Sequence, residues 1–311
     1  MSDILHMTPL RGELKLNEPM AKHVSWRAGG AAARAYWPAD REDLIAFLKS
    51  LSADEPIHFV GLGSNLLVRD GGVPGTVVFT HGLLNGIEER MNADGVTRIF
   101  AEAGVASPKV ARHAARASLE GAEFLAGVPG TVGGALAMNA GCYGSETWEY
   151  VESVTTVDRK GMVRERHPVD YDIGYRHVAL REVGQGANEE WFIAATFKFR
   201  PGSEAVAKAR ITDWLKRRVA TQPLGQPNAG STFRNPAGDH AGRLVEACGL
   251  KGFTVGGAQV SPKHANFVVN LGGATAADIE VVVKTMHDTV LEKTGVDLVQ
   301  EVRVIGELKN G

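Results

Sequence analysis

Residues 121–144 read GAEFLAGVPGTVGGALAMNAGCYG, and the reading of this stretch decides the fold. Half of it is Gly or Ala, so backbone can lie directly against a flat, extended ligand. A tightly packed Gly/Ala core would have the same composition, and spacing alone does not separate the two. Upstream, residues 57–68 (IHFVGLGSNLLV) give a short apolar strand, a glycine turn and a second apolar run. Such a turn can aim successive backbone N–H groups at a phosphate without a dinucleotide-binding helix behind it. Residues 126–134 (AGVPGTVGG) repeat the opportunity, with Pro129 stiffening the turn. An ordinary tight turn explains either loop alone equally well. Two of them on one domain suit a pyrophosphate held from two sides. The standard nucleotide signals are missing: there is no GxxxxGK[ST], and GLGSNLL lacks the third glycine of the dinucleotide fingerprint.

The glycines are the loudest compositional signal, 37 in 311 residues, where about 7% is usual. They alternate with apolar runs rather than with Ser and Pro, which argues against a disordered linker. A 44% hydrophobic and 23% charged composition is that of a soluble globular protein, and the length predicts two or three domains. With a net charge of −2 there is no basic surplus to neutralise phosphates, so neither a nucleic-acid nor a membrane partner is expected. Cys142 and Cys248 lie far apart, which disfavours a disulfide scaffold or zinc cluster and suits a reducing cytoplasm. None of the ten histidines has metal-ligand spacing, so no metal is expected. The first twenty residues carry charges throughout and have no signal-peptide core, and no apolar run reaches membrane-spanning length.

Periodicity places helices at residues 40–52 behind an Asp cap, from Pro108 to a stop at Gly121, at 204–222 before Pro223, and at 275–295 between a Thr cap and Gly295. Strands are expected in 75–80, 98–105, 190–202, 266–272 and 298–306, with a hairpin over 151–169 turning at Arg159–Lys160–Gly161. Helices and strands mix without a βαβ rhythm, so the expected class is α+β. Domain breaks are expected near 85–92 and 218–228.

Residues 230–236 (GSTFRNP) follow the turn-rich run QPLGQPNA. Composition makes Ser231 a turn residue, yet a hydroxyl beside an Arg and an Asn also suits a substrate. Taken singly, Arg176 would pair with a surface acid such as Asp172, and Glu301 would sit on the solvated face of an alternating strand. Arg217 and Arg218 close a helix, where cations are favoured anyway.

In order, VGLGSNLLVRDGGVPGTVV (60–78), residues 121–144, GYR (174–176), AGSTFRNP (229–236), GLKGFTVGGAQVSPKHANFVVN (249–270) and EVRVIG (301–306) resemble the UDP-N-acetylenolpyruvoylglucosamine reductase family. The resemblance covers roughly residues 20–306. The first two motifs are shared more loosely with FAD oxidases of the vanillyl-alcohol-oxidase type, and the last four separate the reductases from them. The resemblance implies two FAD-binding subdomains of that type plus a C-terminal α+β substrate-binding domain. Its expected bounds are 1–88, 89–218 and 219–300, with a strand near 300–311 returning to the first. It implies NADPH-dependent reduction of UDP-N-acetylglucosamine enolpyruvate to UDP-N-acetylmuramate in the cytoplasm, by a monomer.

The same resemblance carries roles onto matching positions. Arg176, Ser231 and Glu301 match the catalytic residues, Ser231 as proton donor. Gly61, Gly63, Ser64, Asn65, Leu66, Gly130, Thr131, Gly133, Gly134, Asn139 and Gly141 would hold FAD. Tyr175, Asn235, Lys263 and His264 would contact the sugar nucleotide. The chemistry is consistent with these types: an arginine fork meets both oxygens of a carboxylate that accumulates charge, and a well-placed hydroxyl can protonate a strongly basic carbon. A glutamate beside that charge works only as a protonated donor or by orienting a neighbour. The pattern departs from its relatives at Trp26, Cys142 and His177, and the short interval from Arg176 to Ser231 resembles the form lacking a tyrosine-bearing loop. An oxygen-using oxidase and a flavin-binding protein without turnover are the rival expectations.

Overall fold

The structure is a computed structural model that describes residues 9–181 and 189–309. The first eight residues of the N-terminal stretch read above, and residues 310–311 of the expected C-terminal strand, lie outside the described residues. The chain divides into two compact units. Unit 1 comprises residues 1–15, 35–61 and 76–211, and unit 2 comprises 16–34, 62–75 and 212–311. Both mix helices and strands, so the α+β expectation holds. Residues Ile87–Met91 form a strand inside unit 1.

Unit 1 is built on an all-antiparallel five-stranded sheet in the order Val163–Arg166, Val151–Asp158, Glu190–Phe197, Thr97–Glu102 and Ile87–Met91. The hairpin turns at Gly161, whose φ of 71° demands a residue without a Cβ. Asp158 is fully buried at this turn and accepts from the Lys160 and Met162 N–H groups. Helix α1 (Arg41–Ser50) starts where Asp40 accepts from Asp43 N–H at 2.9 Å. Its face packs Leu44, Phe47 and Leu48 with Tyr36, Ile57, Val78 and Ile193. Helix α2 (Ser107–Arg116) ends before the expected stop at Gly121. Ser118 turns to φ 55°, and Leu119–Glu120 leaves to pair with Arg200–Pro201, a long-range ladder that local periodicity does not reveal. Helix α3 (Val132–Met138) lies inside the Gly/Ala stretch. Helix α4 (Glu204–Thr221) ends two residues before Pro223.

Unit 2 has its own core. Helix α5 (Ala241–Ala247) and helix α6 (Ala276–Thr294) pack Leu244, Val245, Ile279, Val282 and Met286 with Trp26, Phe233 and Val268. The α6 boundaries are as the caps predict: Thr275 accepts from Asp278 N–H, and Gly295 closes the helix in the left-handed region. Asp70 adds two acceptors to the same N-terminus, taking the Ala276 and Ala277 N–H groups at 3.0 and 2.9 Å. Residues 303–305, the strand core of the C-terminal tail, pair in parallel with Leu66–Val68. Trp26 is 1% exposed and donates its indole N–H to Val268 O at 2.7 Å.

Candidate active site

Within unit 1, a Cβ on Gly61 would sit 2.3 Å from Thr131 Oγ1, so only glycine allows this close approach to Thr131. Thr131, 1% exposed, caps α3 by accepting from Gly134 N–H. The neighbouring N–H groups of Val132 and Gly133 are taken by Val105 O and Ala103 O. Gly134 is exposed, and a Cβ there would meet only Thr131 Oγ1, at 3.8 Å. Gly130 is half-buried and its carbonyl accepts from Ser107 N–H at 2.9 Å. In unit 2 the second turn glycine, Gly63, is buried with φ 58°, and its absent side chain would strike His23 O at 2.2 Å. Ser64, Asn65 and Leu66 follow, all half-buried. Each stretch by itself presents bare backbone with its side-chain bulk removed, the kind of surface that a flat dinucleotide ligand such as FAD requires.

Arg176 stands at the tip of a hairpin formed by Tyr171–Gly174 and His177–Leu180. It takes a left-handed backbone conformation, φ 54°, without being glycine, a strain of roughly 1 kcal/mol of the kind found at functional sites. Its guanidinium is 15% exposed and donates to Asn139 O at 3.2 Å and Gly141 O at 2.9 Å. Glu146 Oε1 lies 3.8 Å away. Burial pushes the Glu146 carboxyl above its ordinary range, against the pull of Arg176. Asp172, the surface acid that composition offered to Arg176, pairs instead with His177 at 3.2 Å. Tyr175 is exposed, with the Arg176 guanidinium 4.9 Å from its ring centre.

The residue that organises this cluster is Asn139, read from sequence only as a cofactor contact. It caps α3 at φ 42° and is 2% exposed. Its amide donates to Glu146 Oε2 at 2.8 Å and Gly174 O at 3.0 Å, and its carbonyl accepts from Trp148 N–H at 3.1 Å. Gly141 is needed because a Cβ would fall 2.3 Å from Ser145 O in the tight hairpin that returns to Glu146. Cys142 turns its thiol to Phe124 O at 3.2 Å.

Within unit 2, backbone pairing ties Glu301 to Thr232, the residue after Ser231. Thr232 O accepts from Glu301 N–H at 2.8 Å, Phe233 bridges Gln300, and Arg234 N–H donates to Val299 O at 2.8 Å. Asn65 joins this ladder at its other edge, donating its amide to Glu301 O at 3.1 Å and accepting from Arg303 N–H at 3.0 Å. Ser231 is half-buried. The preceding Gly230 holds φ 78° while Asn228 Oδ1 accepts its N–H at 3.0 Å. Three of the four expected nucleotide contacts lie in unit 2. Asn235 is exposed and spends its carbonyl on Ala241 N–H at the head of α5, and Lys263 donates to Val219 O at 2.6 Å. His264 is half-buried, its imidazole held 4.7 Å from Phe267, and burial lowers its pKa.

Comparison with known proteins places this geometry. The sequence model of the UDP-N-acetylenolpyruvoylglucosamine reductase C-terminal domain matches residues 222–305, and that of an FAD binding domain matches residues 32–166. UDP-N-acetylenolpyruvoylglucosamine reductase of Thiobacillus denitrificans is 56% identical over 307 residues, spanning 96% of this chain and 94% of that protein. The namesake of Nitrosospira multiformis is 54% identical over 324 residues, spanning 98% and 93%. The crystal structure of the Thermus caldophilus UDP-N-acetylenolpyruvylglucosamine reductase superposes with a TM-score of 0.75 at 30% identity, covering 95% of this chain and 99% of that one. With an FAD-binding domain followed by a reductase C-terminal domain, the chain belongs to the UDP-N-acetylenolpyruvoylglucosamine reductase family of flavoenzymes.

Proposed function

We propose that the protein reduces UDP-N-acetylglucosamine enolpyruvate to UDP-N-acetylmuramate, a step of peptidoglycan precursor synthesis, with NADPH as reductant, as a monomer in the cytoplasm. Among the described residues no helix is long and apolar enough to cross a membrane. We carry forward 1–88 and 89–218 as the FAD-binding subdomains and 219–300 as the substrate-binding domain. Bound FAD would relay a hydride from NADPH to the terminal methylene carbon of the enolpyruvyl group. The protein's own residues then manage charge and the proton.

Hydride addition leaves an electron pair on the neighbouring carbon, delocalised into the substrate carboxylate. Arg176 is assigned to that carboxylate, because its fork of donors meets two oxygens at once. Such preorganised electrostatic stabilisation commonly contributes several kcal/mol to barrier lowering, and anchoring by Asn139 O, Gly141 O and Glu146 supplies the preorganisation. Ser231 is assigned to give its hydroxyl proton to the carbon and to recover one from solvent. Glu301 donates from its protonated form or orients Ser231. Gly61, Gly63, Ser64, Asn65, Leu66, Gly130, Thr131, Gly133 and Gly134 carry the dinucleotide through backbone. Asn139 and Gly141 are assigned to the dinucleotide as well. Tyr175, Asn235, Lys263 and His264 remain assigned to the sugar nucleotide.

The observation that supports the reading is the Thr232 O to Glu301 N–H pairing, which joins the residue after Ser231 to Glu301, whose carbonyl also accepts from Asn65. Rapid mixing of Ser231→Ala tests it. Flavin reduction by NADPH should keep its rate, while reoxidation by the enolpyruvyl substrate should slow by at least about a thousandfold, the upper part of the range for one positioned acid. An unchanged reoxidation rate would remove Ser231 from the mechanism.

A further inference from the structure

The segment that presents Ser231 has no regular secondary structure, yet a proton donor must be held to a fraction of an ångström to act. One edge of the segment is tied by the 299–301 ladder described above. The other edge is tied by Asn266. Its side-chain carbonyl accepts from Phe233 N–H at 3.0 Å, its amide donates to Phe233 O at 2.8 Å, and its backbone carbonyl accepts from Thr232 N–H at 2.8 Å. The carboxamide thus pairs with both main-chain groups of one residue, as a neighbouring strand would, two positions after Ser231.

Everything around this contact is sealed. Asn266 is 2% exposed, Thr232 0% and Phe233 1%. Asn266 is itself fixed by a compact turn: Ser261 N–H donates to Phe267 O at 2.8 Å, Phe267 N–H donates to His264 O at 3.0 Å, and Asn266 N–H meets His264 Nδ1 at 3.3 Å. Ser261 Oγ accepts from Lys263 N–H at 3.2 Å and more weakly from His264 N–H. A buried amide with both functions satisfied by one partner residue fixes position and orientation together, and removal of either bond leaves a buried Phe233 group unpaired.

We propose that Asn266 is the positioning residue for Ser231. The inference rests on the proton-donor reading of Ser231 given above. The step it serves moves a proton only: the Ser231 O–H bond breaks, a C–H bond forms at the carbon carrying the electron pair, and the serine oxygen regains a proton from solvent. Asn266 touches neither substrate nor flavin in this account, so its effect must vanish when Ser231 has no hydroxyl to aim.

The experiment is a double-mutant cycle on the FAD-loaded enzyme, reading each half-reaction by stopped flow. Asn266→Ala should leave flavin reduction by NADPH within about twofold of the parent and slow reoxidation by the enolpyruvyl substrate by about a hundredfold, the scale of a misplaced reacting group. In the Ser231→Ala background the same substitution should cost less than about twofold, the non-additivity of residues that act as a unit. Equal losses in both backgrounds would overturn the proposal while leaving Ser231 in place. A Ser231→Ala enzyme with normal reoxidation would instead defeat the reading on which it rests.

Should Asn266→Ala fail to retain flavin, Asn266→Asp decides. Its carboxylate keeps the acceptor for Phe233 N–H but faces Phe233 O with no donor, and protonation restores the donor. Reoxidation by Asn266→Asp should therefore rise at least about tenfold, relative to the parent, as the pH falls from about 8 to about 5.5, towards the range of a raised carboxyl pKa. A ratio that does not change with pH would overturn the proposal.

Discussion

Replacing Asn139 by Ala and by Gly separates two contributions that meet at one residue. The side chain makes three hydrogen bonds in a site 2% exposed, to Glu146, Gly174 O and Trp148 N–H. At about 1 kcal/mol each, both variants should lose roughly 3 kcal/mol. The backbone is left-handed, φ 42°, where a Cβ costs roughly 1–2 kcal/mol, partly offset by the greater unfolded-state freedom of glycine, about 0.5–1 kcal/mol. Ala should therefore fall below Gly by roughly 0.5–1 kcal/mol. In differential scanning calorimetry, 3 kcal/mol corresponds to a Tm fall of about 6–12 °C for a unit of this size, with Ala melting about 1–4 °C below Gly. The same variants loosen the carbonyls that hold Arg176, so reoxidation of reduced flavin by substrate should slow well below the melting range. A Tm fall under about 2 °C, or Gly below Ala, would refute this account of Asn139.

Three further outcomes follow from single contacts. Trp26→Phe deletes the indole bond to Val268 O and leaves that carbonyl short of a partner, so unit 2 should lose about 1–2 kcal/mol by urea unfolding. His287 is held by Asp288 at 3.0 Å and Asp297 at 2.8 Å, and these bonds raise its pKa. A raised histidine stabilises fully below its unfolded value of about 6.5 and loses that contribution as pH rises through the folded value. Because its partners are exposed, the change should stay under about 1 kcal/mol and disappear in His287→Asn. Arg176→Lys keeps the charge but not the fork, so flavin reduction should persist while substrate-driven reoxidation drops by about a hundredfold or more.

Local signals carried much of the fold. The Asp40 and Thr275 caps, Gly295 and the turn at Gly161 act through bonds within a few residues, and helices α1 and α6 and the 151–166 hairpin stand where their sequences place them. The early end of α2 did not show, because its cause is a ladder with residues 200–201, some eighty positions away. Residue type and motif pointed to Arg176, Ser231 and Glu301, and the structure adds that Glu301 pairs with Thr232, the residue after Ser231. The supporting amides stayed hidden. Asn139 is expected from sequence only as a cofactor contact and Asn266 is not singled out, and burial together with partners distant in the chain, Gly174 and Phe233, reveals what each holds. Asn235 and Lys263, expected to contact the nucleotide, each also hold a backbone group, Asn235 nearby at Ala241 and Lys263 at the distant Val219.

The central claim is a reductase working through FAD, and an anaerobic spectral titration of the purified protein tests it most directly. The account predicts a yellow protein whose flavin band is bleached by NADPH and restored by UDP-N-acetylglucosamine enolpyruvate without oxygen. Colour that returns only with oxygen would mark an oxidase, and a protein that binds no FAD would contradict the account altogether.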